Sequence, residues 1–361
     1  MQKFVVGAFG TVLAALIVVG CASDNGPSPQ AEAITEPEAI TEPEAITEPE
    51  ATATEPLAVP DLDPAGCLTG SALEGSVEAP EPGCPRAALS PAEGLETSPP
   101  LLNVVAKHPE LECLHRTFSM FIDVFGIYVI GTPGAPDAYF SHTANVLAQY
   151  LDNDEDGIPD DPEVLRVLTE GNFVVPVWTE DDRESFWEGA RGTPCEDNVS
   201  MAASMYYDQD EWALGGVQAA GSWDGNLEEV WHVVSMGWYR AYPEFFGDEP
   251  GSQLSKAMDI ARGGNFQRIP DSYPEGSWYS YDDETCSYPC QVHEYFYWLL
   301  MTNIGALDSS ISDKCQDVAV EWRVCSKAQL GEVDELAYGL LNQKGFNLPT
   351  RIPTGAYLPM D

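Results

Sequence analysis

The chain has 361 residues, with 59 Asp and Glu against 16 Lys and Arg and only 5 His, a formal charge of −43. A surface this acidic repels phosphate backbones and anionic head groups, so no nucleic acid is expected as a partner and cations are its natural ligands. At 44% apolar residues, with 9 Trp, 13 Phe and 15 Tyr, there is enough hydrophobic material for one sizeable core.

The first element is MQKFVVGAFGTVLAALIVVGC, a Lys near the start and an apolar stretch from Phe4 to Val19. Its length and flanks predict a secretory signal over residues 1–20, not a spanning helix. Val18-Val19-Gly20-Cys21 resembles the lipobox of bacterial lipoproteins. The resemblance implies cleavage before Cys21, acylation of that cysteine, and the membrane as a partner reached through it. Each buried methylene of such an anchor adds about 0.8 kcal/mol. Ala22 and Ser23 follow, and the absence of Asp there is similar to lipoproteins sorted to an outer membrane. Of the 9 cysteines, removing Cys21 leaves Cys67, Cys84, Cys113, Cys195, Cys286, Cys290, Cys315 and Cys325. An even set in an exported protein suggests disulfides, and proximity favours Cys67 with Cys84. Cys286-Ser-Tyr-Pro-Cys290 has no second pair at zinc-ribbon distance and reads as structural.

Residues 21–100 are rich in Pro, Glu, Ala and Thr, with AITEPE at 33–38, 39–44 and 45–50 decaying to ATATEP. Regular prolines, mutual repulsion and scarce large apolar groups predict a disordered linker that holds a domain away from a membrane. One globular metal-binding domain is expected over 101–361. Apolar periodicity places helices near 109–122, 140–151, 161–170, 226–242, 252–262, 289–304 and 332–344, the last closed by Gly345. Strand-like runs occur at Gly126–Gly131 and Phe173–Trp178. The fold class expected is therefore α+β, a helix-dominated single globular domain with short strands.

Between two of these helices lies Asp152-Asn-Asp154-Glu-Asp156-Gly157-Ile158-Pro-Asp160-Asp-Pro-Glu163, which fits D-x-[DN]-x-[DN]-G-x5-E. A hard cation takes six to eight oxygens. Carboxylates of Asp152, Asp154 and Asp156, the carbonyl of Ile158, a water-linked Asp160 and a bidentate Glu163 supply them, and Gly157 makes the sharp turn. The loop resembles an EF-hand, which implies calcium as cofactor. It carries Pro159 where EF-hands place an apolar residue that pairs with a second loop, and no second loop is present. A lone structural site, like the D-x-D-x-D-G repeats of extracellular calcium proteins, is expected rather than a sensor.

Two apolar helices further on each carry a His and acidic residues: Asn226-Leu-Glu228-Glu229-Val-Trp-His232 and Val292-His293-Glu294, the latter followed by seven apolar or aromatic residues. Glu228 and His232 share a helix face. A buried carboxylate needs a cation, and this chain has few. Glu228-Glu229-x-x-His232 is similar to the H-E-x-x-H helix of zincin metalloproteases, with Glu in place of the first His. The resemblance implies Glu228 and His232 as zinc ligands, Glu229 as general base, Glu294 as the third ligand as in gluzincins, and a peptide or protein substrate. Two carboxylate ligands would cancel the charge of Zn²⁺ and weaken it as a Lewis acid. Asp259 is a lesser candidate near the site. Without a metal, Asn226 and Glu229 fit a capping box, His232 fits a core histidine, and Glu294 fits a partner of Arg240, Arg262 or Arg268. A di-iron carboxylate site needs two Glu-x-x-His motifs, and one is present. Phosphate loops, dinucleotide fingerprints and the G-x-S-x-G elbow are absent. Two functions follow: a metal-dependent peptide hydrolase, or a non-enzymatic surface lipoprotein whose calcium and disulfides are structural and whose aromatic residues bind a ligand or protein.

Overall fold

The computed structural model describes residues 103–359. The expected signal, the expected acylated Cys21, the expected linker and the expected Cys67–Cys84 pairing lie outside the described residues. In chain order the elements are β1 (Asn103–Val105), β2 (Met120–Val124), β3 (Ile127–Gly131), α1 (Asp137–Leu151), α2 (Pro162–Glu170), β4 (Val174–Trp178), α3 (Glu180–Ala190), α4 (Pro194–Asn198) and β5 (Met205–Tyr206). There follow α5 (Val217–Ala220), α6 (Asn226–Ala241), α7 (Pro243–Phe246), α8 (Gln253–Ala261), α9 (Tyr288–Asn303), α10 (Lys314–Asp317), α11 (Lys327–Val333) and α12 (Glu335–Leu341). Helices dominate, and the class is α+β. Among the described residues no helix is long and apolar enough to cross a membrane.

The strands form one sheet in the order β1-β2-β3-β4-β5, antiparallel from β1 to β3 and parallel from β3 to β5. Strand β3 is buried at every position, so successive side chains must serve two cores. Ile127 and Val129 face the large helical core, and Tyr128 and Ile130 face a smaller one with Phe118, Trp178 and Phe186. The Cys113–Cys195 disulfide ties the segment before β2 to α4 beneath that second layer, with a Cα–Cα distance of 6.0 Å. Cys286–Cys290 and Cys315–Cys325 also pair.

The helix expected over 109–122 does not form. A 3-10 turn at Glu112–Arg116 gives way to β2, because Phe125 and Gly126 at φ 55° and 89° make a tight turn that pairs Ile122 with Val129. The expected helix 332–344 is two helices broken at Asp334. That buried carboxylate caps α12 through the Ala337 N–H (3.1 Å) and accepts from Tyr295 Oη (2.6 Å) and Trp278 Nε1 (3.0 Å). Helix α12 ends at Leu341, short of Gly345. The polar α3 was not expected: it has no apolar period and starts on a capping box of Thr179 and Asp182.

Helices α6 and α9 fill the middle of the large core. All of α9 except Pro289 is buried, and its Phe296 meets Trp231 of α6 edge to face at 5.1 Å. Helix α6 also lies hard against α2 at Gly237, where a Cβ would stand 2.6 Å from Val164 Cγ1.

Candidate metal centres

Helix α6 begins unlike a capping box. Its N-cap is Gly225, with no side-chain cap. Asn226 is buried and turned to Asp224 and Thr143 instead, its Nδ2 donating to Asp224 Oδ1 at 2.8 Å and its Oδ1 accepting from Thr143 Oγ1 at 2.7 Å. Glu228 and Glu229 therefore stand in the first turn without a capping role, and both keep partial solvent access. His232 follows one turn later, its side chain 10% exposed. Glu294, in the first half of α9, is 4% exposed.

The packing of α6 on α9 brings Glu228, His232 and Glu294 together, one donor atom from each lying within 4.8 Å of the others. His232 Nε2 is 3.5 Å from Glu294 Oε2 yet is buried with no hydrogen-bond partner. That separation is long for a hydrogen bond. It suits two ligands of one ion, since donors bonded at about 2.0–2.1 Å to a tetrahedral zinc stand about 3.3–3.4 Å apart. None of the arginines expected for Glu294 reaches it among the described ion pairs. Arg262 is bound to Asp259 at 2.6 Å and to Gln291, and Arg240 lies over Phe173. Asp259, which also accepts from Tyr288 Oη at 3.1 Å, belongs to that arginine and not to the metal group.

The charges around the group beyond the three donors are mostly acidic, with Lys314 acting on Glu228 as a cation. Burial, then the Glu294 carboxylate, pushes Glu228 up to about 7. Burial, then Glu228, pushes Glu229 up to about 8. Burial alone would lower His232, but Glu294, Glu228 and Glu229 outweigh it and raise its pKa to about 9. Glu321, which the sequence reading missed, is raised to about 8 by burial and by Glu294, and its Oε1 accepts from Trp298 Nε1 at 2.6 Å. It is a single carboxylate in the apolar run Val318-Ala-Val-Glu-Trp322, the same signal that marked Glu294. Tyr297 lies with its ring 5.9 Å from that of His232, its buried hydroxyl unpartnered. These carboxyls hold protons that a divalent cation can replace.

The second centre is the loop between α1 and α2. Asp152, Asp154 and Asp156 each offer a carboxylate oxygen within 4.8 Å of the others. The loop folds on its own acids: the N–H groups of Asp156 (3.1 Å) and Gly157 (2.8 Å) donate to Asp152, and that of Ile158 to Asp156 at 2.8 Å. Gly157 takes φ 84°, which only glycine adopts freely. Asp160 Oδ2 accepts from the Asn153 N–H at 2.7 Å, and burial raises its pKa to about 6. Ile158 has an exposed side chain and only its carbonyl to offer. Glu163 stands apart, its carboxylate forked onto Arg166 with Nε to Oε2 at 2.9 Å. Arg166 is solvent-exposed and water screens the pair, so a cation in the loop can draw Glu163 inward at little cost.

No protein family, curated protein or solved structure matches this chain.

Proposed function

We propose that this chain is a lipid-anchored extracytoplasmic metalloprotein in which Glu228, His232 and Glu294 hold a zinc ion and act on peptides as a metal-dependent hydrolase, with calcium in the Asp152–Glu163 loop as a structural ion. The observation that carries it is the convergence of Glu228, His232 and Glu294, with His232 Nε2 3.5 Å from a buried carboxylate that no Lys or Arg reaches among the described ion pairs. Three protein donors of mixed nitrogen and oxygen type leave a coordination position free, as catalytic zinc sites do. Bound there, zinc would supply Lewis-acid polarisation of a substrate carbonyl and a lowered pKa for water. Glu229 is the acid–base group by its place next to Glu228 on α6; without metal, burial and Glu228 raise its carboxyl to about 8. The three disulfides support an oxidising compartment, consistent with the lipobox at Cys21. The surface-lipoprotein reading keeps one favouring observation, the two carboxylates in the donor set, which would blunt the metal's acidity.

The test is elemental analysis of the full chain purified without chelator, beside Glu294→Gln, with hydrolysis of an unstructured protein such as casein as readout. Expected is near-stoichiometric zinc lost in Glu294→Gln with calcium retained, and hydrolysis lost in Glu229→Gln with zinc retained. Calcium alone in both proteins overturns the metal centre. Zinc without hydrolysis leaves the binding lipoprotein.

A further inference from the structure

The residues after α12 form no helix or strand from 347 to 358, yet they are fastened along the length of the calcium loop. Asn347 Nδ2 donates to the Asp160 carbonyl at 2.7 Å. Asn153 Oδ1 accepts from the N–H groups of Thr350 (2.8 Å) and Arg351 (2.9 Å), and Asn153 Nδ2 donates back to the Arg351 carbonyl at 3.1 Å. Tyr357 Oη donates to Asp152 Oδ2. One turn before the loop, Gln149 Oε1 accepts from Thr354 N (2.8 Å) and Gly355 N (2.9 Å), while Gln149 Nε2 donates to Glu155 Oε1 at 2.7 Å. Three of these anchors, Asp152, Asn153 and Asp160, are residues of the loop itself.

These anchors lay Gly355 on the ring of His142, so closely that a Cβ there would stand 1.9 Å from Nδ1. On its other side His142 Nε2 meets Asp224 Oδ2 at 2.6 Å. Asp224 Oδ1 in turn accepts from the Asn226 N–H (3.2 Å) and side-chain amide (2.8 Å), and Tyr150 Oη donates to the Leu227 carbonyl at 2.7 Å. Asn226 and Leu227 immediately precede Glu228. The start of α6 is thus held directly by Thr143 and Tyr150 of α1 and, through Asp224, by His142, the one of the three that the C-terminal segment backs.

We propose that segment 347–358 couples the two centres, so that calcium in the loop tightens metal binding at Glu228, His232 and Glu294. This rests on the metal reading given under Proposed function. The two-state element is the segment, docked or released. Without a cation, the five aspartates of one small loop repel, which loosens the anchors. Release uncovers His142 and frees the start of α6, and the metal must then reorder it on binding. With calcium bound that ordering is already done, so metal binds more tightly. The coupling is reciprocal: zinc must raise calcium affinity by the same factor.

The experiment is titration of the full chain with zinc against a fluorescent competitor, in saturating calcium and after calcium is removed by dialysis, then with calcium in the presence and absence of zinc. A zinc Kd about tenfold lower in calcium is expected, inside the usual coupling range of about 5–150-fold, with the same factor in the reverse titration. Tyr357→Phe keeps the ring and loses the bond to Asp152, and Gln149→Ala loses the Thr354 and Gly355 bonds. Both variants should bind both metals with the factor reduced toward one. Equal zinc affinity with and without calcium in the wild type overturns the coupling and leaves both sites standing. A full factor in both variants overturns the segment as its carrier. Failure to bind zinc under either condition overturns the metal reading and the coupling together.

Discussion

At His232, burial and charge pull in opposite directions, and three carboxylates win, so the imidazole keeps its proton up to about pH 9 in the metal-free protein. Unfolded His titrates near 6.5, so the stability this proton contributes is fully present below about pH 6.5 and is lost as pH rises toward 9. Glu229 adds in the same direction. Its folded pKa of about 8 stands above the unfolded value of about 4.3, so between the two the folded chain holds a proton that the unfolded chain has released. Stability again falls as pH rises through that window. The zinc-free protein, kept in calcium, is expected to lose melting temperature steadily from pH 5 to 9. Zinc should recover more of it at each step, because metal takes the place of the protons. Glu294→Gln removes the largest charge holding the His232 proton and should flatten the curve above pH 6.5. Thermal melts across this range decide it, and a zinc-free Tm that is flat or rising sinks the account. Glu294 was legible in the sequence because a lone carboxylate ahead of seven apolar residues must find a cation. Glu321 carries a shorter form of that signal, but its place beside Glu294 was not legible, since the isolated bridge between Tyr279 and Trp322 joins residues 43 apart in sequence.

At the scale of elements, periodicity found the helices that bury one face and missed those built on polar contacts. Helices α1, α2, α6 and α8 carry apolar stripes, α9 is apolar nearly all round, and all five fall close to their expected ranges. Helix α3 has only Phe186 and Ala190 buried, and its signal was the Thr179–Asp182 capping box. The break at Asp334 was illegible because its reason is tertiary, two donors arriving from Trp278 and Tyr295. The α2–α6 crossing shows the same dependence on tertiary fit. A glycine in mid-helix costs about 1 kcal/mol against Ala, and at position 237 it is retained where Val164 Cγ1 and Leu168 Cγ would stand 2.6 and 3.0 Å from a Cβ. Gly237→Ala is expected to destabilise by up to about 2 kcal/mol net, overpacking of about 1–3 kcal/mol set against a propensity gain of about 1 kcal/mol. Val164→Ala in the same chain should restore part of the loss although alone it opens a cavity. Urea unfolding of the two single variants and the double variant gives the coupling energy. A neutral or stabilising Gly237→Ala would mean that the helices can separate there without loss.

For the whole molecule, a net charge of −43 makes compaction costly and cation binding favourable, and the Asp152–Glu163 loop gathers acids where a cation would relieve that repulsion. Its acids fall into two kinds. Asp152 is buried and bonded to Asp156, Gly157 and Tyr357, so replacing it removes structure as well as a ligand. Asp154 is exposed, and its side chain accepts only a 3.3 Å bond from the Asp156 N–H, which makes it the cleaner probe. An ion that binds only the folded state stabilises it by about 2.7 kcal/mol at a concentration of a hundred times Kd. For a domain of this size each kcal/mol moves the melting temperature by about 2–4 °C. Calcium should therefore raise the Tm of the full chain by about 5–10 °C, measured in the Glu294→Gln background so that zinc does not contribute. Asp154→Ala should begin near the calcium-free Tm and gain little on addition of calcium. Asp152→Ala should melt below both at any calcium concentration, because the C-terminal segment and the loop lose a shared anchor. Magnesium, which demands tighter octahedral geometry and gives up its waters reluctantly, should not reproduce the rise. A Tm that calcium leaves unchanged would reduce the loop to an acidic turn. A rise that survives in Asp154→Ala would move the cation elsewhere on this acidic surface.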